Sequence, residues 1–84
     1  MIEYPKCKWM RNIAELIVDG LAPPNIEDNS HPDAGYWDEN AMYEFLEKKG
    51  FSAKQIERTI NYLLKRRVIR YDFYLGTKMY YRRV

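Results

Sequence analysis

Lys48-Lys49-Gly50-Phe51-Ser52-Ala53-Lys54-Gln55-Ile56 is the stretch on which the fold turns, because it ends one helix and begins another almost at once. The two lysines put cations at a helix C-terminus, and Gly50 supplies the C′ residue that stops it. Ser52 and Gln55 then have the S-x-x-Q spacing of a capping box, with Phe51 and Ile56 at the N′ and N4 positions of a hydrophobic staple. Two helices are therefore expected to meet across roughly two or three residues at a fixed angle.

Upstream, Asp38 is placed as an N-cap with Glu39 in the first turn, where acidic groups complement the helix dipole, and Ala41, Met42, Phe45 and Leu46 form the apolar face. Downstream, the next helix is predicted from Ala53 to about Arg66. At about 100° per residue, Ala53, Ile56, Ile60, Leu63 and Leu64 fall inward, and Lys54, Arg58, Asn61, Tyr62 and Lys65 fall outward, with Glu57 at the flank. After Arg67 the period changes to two: Ile69, Tyr71 and Phe73 alternate with Arg70, Asp72 and Tyr74, and later Met79 and Tyr81 alternate with Tyr80 and Arg82. Gly76 marks the turn of a hairpin, residues 68–74 against 77–83.

At the other end, Trp9, Ile13, Leu16 and Ile17 recur at helical spacing, and Pro5 suits a first turn, so residues 5–19 read as an amphipathic helix. Gly20 is expected to end it in a left-handed conformation, with Pro23 and Pro24 preventing a restart. Residues 22–35 have the composition of a loop, and Tyr36-Trp37 of a very short strand.

With 84 residues and 46% hydrophobic content there is material for one small core, so the chain reads as a single domain, 1–84: a first helix and loop (1–37), a helical pair (38–67) and a hairpin (68–84). A docking surface is easier to build at this size than an enclosing pocket, and no small-molecule substrate is indicated. Charge is divided by position: residues 1–42 carry eight acidic and three basic side chains, residues 43–84 four acidic and eleven basic. An excess of that kind in one half makes a local positive field suited to a polyanion. Cys7 and His31 are each the single residue of their type, without metal-ligand spacing, and no nucleophile–base pair or phosphate loop is present. No metal, no cofactor and no catalytic activity are expected. The apolar run Leu16-Ile17-Val18 is far short of the ~20 residues of a membrane span, and without a signal-like segment the cytoplasm is the expected compartment.

Helix, short strand, helix, tight turn, helix, hairpin is the order of elements in a winged helix-turn-helix domain, and the chain resembles that superfamily over nearly its whole length. The loop before the second helix is longer than that pattern has, and the hairpin tip carries only Lys78. The resemblance implies a small α+β fold of three helices and a C-terminal β-hairpin. It also implies a sequence-specific double-stranded DNA-binding protein, a small transcriptional regulator, with residues 53–66 in the major groove and the hairpin, or wing, on the backbone. Arginine, lysine and asparagine are the side chains that suit guanine, phosphate and adenine edges. Arg58, central on the outward face, is the first candidate for a base contact, and Lys54, Lys65 and Arg66 suit phosphates. Asn61 and Tyr62 lie among these charges, and Arg70, Lys78, Arg82 and Arg83 extend the surface along the hairpin. Gln55 is a further candidate, although the capping box claims its side chain.

Trp9, Ile13, Leu16 and Ile17 are core residues that also form a candidate interface with a second copy, since two-fold homodimers are the commonest oligomers and would set two recognition helices about one DNA turn apart. Two other readings stand beside the regulator. The acidic half, with Glu27, Asp28, Asp33, Asp38 and Glu39, would suit a basic protein partner of an interaction module or subunit. The tyrosines at 71, 74, 80 and 81 would suit stacking on single-stranded nucleic acid, against packing within the sheet.

Overall fold

The computed structural model describes residues 4–21 and 36–82. Helix α1 spans Lys8–Gly20, strand β1 Tyr36–Asp38, helix α2 Glu39–Lys48, helix α3 Ala53–Lys65, strand β2 Ile69–Tyr74 and strand β3 Thr77–Arg82. The fold is a small α+β arrangement of three helices and a three-stranded antiparallel sheet in the order β1-β3-β2. Strand β1 joins β3 from Tyr36 opposite Tyr81 to Asp38 opposite Met79, and β2 joins it from Ile69 opposite Arg82 to Tyr74 opposite Thr77.

The turn between α2 and α3 is fixed by paired caps. Gly50, at φ 99°, donates its N–H to Glu47 O, and the Phe51 N–H reaches Leu46 O, which is the hydrogen-bond pair of a Schellman motif. Ser52 Oγ then accepts the Gln55 N–H at 3.2 Å, while Gln55 Oε1 accepts the Ser52 N–H at 3.0 Å, completing the capping box. Asp38 caps α2 by accepting the Ala41 N–H at 3.0 Å. Helix α3 closes as α2 does, with the Val68 N–H on Leu63 O and the Arg67 N–H on Leu64 O, except that an arginine occupies the left-handed position at φ 60°.

The core is drawn from every long element: Ile13, Ala14 and Ile17 of α1, Met42 and Leu46 of α2, Ile56, Ile60 and Leu63 of α3, Ile69 and Tyr80 of the sheet, together with Leu21. Each large side chain so buried contributes roughly 1.5–3 kcal/mol relative to exposure. The inward face of α3 is centred between Ile56 and Leu63, so buried Thr59 enters it and donates Oγ1–H to Gln55 O, whereas Ala53 is exposed and Leu64 half-buried at its edges.

Gly20 differs from its expected role. It is the last residue of α1, not a left-handed stop; Leu21 follows at φ −100°, and a Cβ on Gly20 would stand 2.5 Å from Trp37 Cζ3. Glycine is needed there so that the indole of β1 can lie on the helix end. Pro5 lies before α1, whose N-cap is Cys7. Ile13 and Ile17, expected to be shared with a second copy, are fully buried in the chain's own core, and Trp9 and Leu16 are half-buried against it. Closure by α3 leaves those two isoleucines no surface to offer.

Candidate nucleic-acid interface

Lys54, Arg58, Asn61 and Lys65 recur at intervals of four, three and four along α3 and are all exposed. At 1.5 Å per residue they form a ridge roughly 16 Å long, opposite the face that carries Ile56 and Leu63. Among the described residues none of the four side chains has a hydrogen-bond or ion-pair partner, so the cations and the amide are presented to solvent unneutralised. Because the apolar face is anchored and both caps are satisfied, the ridge is held in a fixed orientation.

The remaining candidates on α3 lie off this ridge. Tyr62 is half-buried against the core, at the flank beside Thr59, and the Arg66 guanidinium lies 5.2 Å from its ring centre. Gln55 has its amide oxygen committed to the capping box. Both are therefore supporting residues in this geometry and not part of the outward surface.

On the hairpin, Arg70 is exposed with its guanidinium 5.2 Å from the Tyr81 ring, and Arg82 is half-buried at the end of β3. Lys78 is not free at the tip: it lies opposite Phe73, its ammonium is 4.5 Å from the Tyr71 ring centre, and Glu39 Oε2 is 3.9 Å away. Glu39 also accepts the Tyr80 hydroxyl at 2.6 Å. Burial of Tyr80, with this hydrogen bond and the carboxylate charge behind it, pushes its phenol far above the ordinary range. Tyr80 is thus core, closed to stacking on a base, while Tyr71 and Tyr74 are exposed.

Arg67 was not a candidate from sequence, yet it is exposed at the joint between the ridge and the hairpin. Glycine is the usual marker of a left-handed residue, and its absence hid the position; the change from helical to alternating periodicity just beyond was the only signal. Arg83, His31 and the acids at 27, 28 and 33 lie outside the described residues.

Helix α2 carries several acidic side chains. An open concavity on α2 is lined by Asn40, Tyr43, Glu44, Glu47 and Lys48, with Lys48 3.2 Å from Glu44. Burial, and then the charges of Glu39, Glu57 and Glu47, raise the Tyr43 phenol above its usual value. Among the described residues no group of three or more His, Cys, Asp or Glu side chains is placed to hold a metal ion, and no helix is long and apolar enough to cross a membrane. Comparison with protein-family models, with curated proteins and with solved structures finds no match to the chain.

Proposed function

We propose that this chain is a winged helix-turn-helix protein that binds double-stranded DNA sequence-specifically and acts as a small transcriptional regulator, with α3 in the major groove. The observation that carries the reading is the exposed, unpartnered ridge of Lys54, Arg58, Asn61 and Lys65 on a rigidly capped helix. The order of elements, with a tight turn before α3 and a hairpin after it, supports the winged-helix form. A helix fits a major groove about 12 Å wide, and Arg58 at the centre of the ridge is set to read a guanine while Lys54 and Lys65 meet phosphates. Ile13 and Ile17 belong to the chain's own core, so a homodimer would be built on surface other than theirs.

Selection of bound duplexes from a random library tests the reading, and one enriched motif is expected, palindromic if two copies bind together. On the selected site Arg58→Ala should cost ~1–3 kcal/mol and relax preference at one position, whereas Lys65→Ala should weaken every sequence alike. No enriched motif, or equal loss on all sequences for both variants, contradicts base reading by Arg58.

The concavity on α2 favours a second reading, an interaction module whose acidic side receives a basic segment. It predicts no duplex binding at low salt and a complex that is lost on Glu47→Lys.

A further inference from the structure

Strand β2 is paired on one side only among the described residues, since the order β1-β3-β2 sets it at an edge of the sheet. Its register with β3 runs without a bulge from Ile69 opposite Arg82 to Tyr74 opposite Thr77. Tyr74 and Thr77 flank the two-residue turn and form a hydrogen-bonded pair, and bonded and non-bonded pairs alternate from there. Arg70, Asp72 and Tyr74 therefore direct their main-chain groups to β3. Ile69, Tyr71 and Phe73 direct theirs away from the sheet, one N–H and one C=O each.

Proteins blunt such an edge with lysine, proline, a bulge or a very short strand, and β2 has none of these. Two aromatic side chains also lie unburied along it: Tyr71 is 43% and Phe73 68% exposed, edge to face with ring centres 5.9 Å apart. Arg70 and Asp72 stand on the other face of the strand, both exposed. Among the described residues neither has an ion-pair partner, the Arg70 guanidinium resting 5.2 Å from the Tyr81 ring.

The order of these residues is self-complementary about Tyr71. Laid antiparallel on a second copy with Tyr71 opposite Tyr71, β2 sets Arg70 against Asp72, Asp72 against Arg70, and Ile69 against Phe73 in both directions. The same register brings the outward main-chain groups of residues 69, 71 and 73 face to face for about six hydrogen bonds. It also puts both ion pairs at non-hydrogen-bonded positions, where side chains approach most closely. Moving the axis by one residue would set Arg70 against Arg70 or Asp72 against Asp72, and like charges directly opposite are destabilising.

We infer that the β2 edges of two copies pair about a two-fold axis at Tyr71, joining two three-stranded sheets into one and making the chain a homodimer. Tyr71 and Phe73 of both copies then form one aromatic cluster on the face that carries Ile69 and Tyr80. The Arg70 guanidinium keeps N–H donors for a further acceptor. This dimer is a property of the free chain and does not rest on the DNA reading. Its charges select the register more than they add affinity.

Sedimentation of the full chain without DNA, from about 10 μM to about 1 mM, is expected to show a monomer–dimer equilibrium. Arg70→Asp and Asp72→Arg each set like charges opposite one another and should weaken self-association about tenfold or more. An equimolar mixture of the two variants should restore the dimer, because the acidic edge of one then faces the basic edge of the other. In amide hydrogen exchange, Tyr71 and Phe73 should gain protection as concentration rises, while Asp72, bonded to β3, is protected throughout. A chain that stays monomeric at the highest concentration, with those two amides exchanging freely, overturns the pairing and leaves the edge to a foreign strand. A dimer that neither variant weakens, or that mixing does not restore, places the interface elsewhere and overturns it equally. Duplex binding is scored separately, so either reading falls without the other.

Discussion

Arg67 holds the left-handed position that ends α3, where glycine would carry no Cβ penalty. Arg67→Gly keeps both hydrogen bonds of the cap, to Leu64 O and from Val68 to Leu63 O, and removes the strain. The glycine's greater freedom in the unfolded chain offsets part of that gain, so stability should rise by roughly 0.5–1 kcal/mol in denaturant unfolding. Duplex affinity should fall at the same time, with the salt slope shallower by about one. Lower stability in this variant would show that the side chain, and not the backbone, accounts for arginine at this joint.

Tyr80 supplies a second test at this scale. Its folded phenol titrates far above the unfolded value of 10.0, so it contributes stability that is present in full below pH 10 and is lost as pH rises above it, while the unfolded chain ionises and the folded one does not. Tyr80→Phe should cost about 1–2 kcal/mol at neutral pH through the lost hydrogen bond to Glu39, and should flatten the alkaline limb of a stability–pH profile. An unchanged limb would place the alkaline loss elsewhere, Tyr43 being the other phenol raised by burial and nearby carboxylates.

At the scale of elements, the α2–α3 joint was legible because its chemistry is local: a C′ glycine, a serine cap and a reciprocal glutamine are all within a few residues of one another. Ser52→Ala should therefore cost about 1 kcal/mol, with the loss reporting on α3 alone. Hairpin register was legible for the same reason, since a two-residue turn at Leu75-Gly76 fixes every pair from Tyr74–Thr77 to Ile69–Arg82. What periodicity could not give was the rotation of α3. A helical wheel places Leu64 and Tyr62 on either side, but only packing against α1 decides that Thr59 turns inward and Tyr62 rests on the flank. Gly20 was misread because glycine at a helix end has two uses, and the approach of Trp37 from β1 is a tertiary fact.

At the scale of the whole molecule, the division of charge along the sequence does not carry over intact into the fold, since Glu44, Glu47 and Glu57 of the basic half lie near Tyr43 and Glu39 of the acidic half meets Lys78. The ridge of α3 and the outer hairpin carry cations, while the concavity of α2 gathers Glu44 and Glu47, with Glu39 and Glu57 near Tyr43. The local excess of cations along the α3 ridge raises the rate at which a polyanion meets it. The closed core has the opposite lesson. An apolar stripe on α1 reads equally as interior or interface in a sequence, and it became interior because α3 and the sheet supply enough apolar surface to cover Ile13 and Ile17. Lys78 likewise looked like a free tip cation until Glu39 and Tyr71 met it across the fold.

Titration of labelled duplex DNA at salt concentrations from about 50 to 200 mM bears most directly on the claim that α3 is a docking surface. Contacts from Lys54, Lys65, Arg66, Arg67 and Arg70 to phosphates should give a plot of log affinity against log salt with a slope of about −4.5, reduced by about one in Lys65→Ala. Absence of duplex binding at the lowest salt, or a slope near zero that Lys65→Ala does not change, would contradict it.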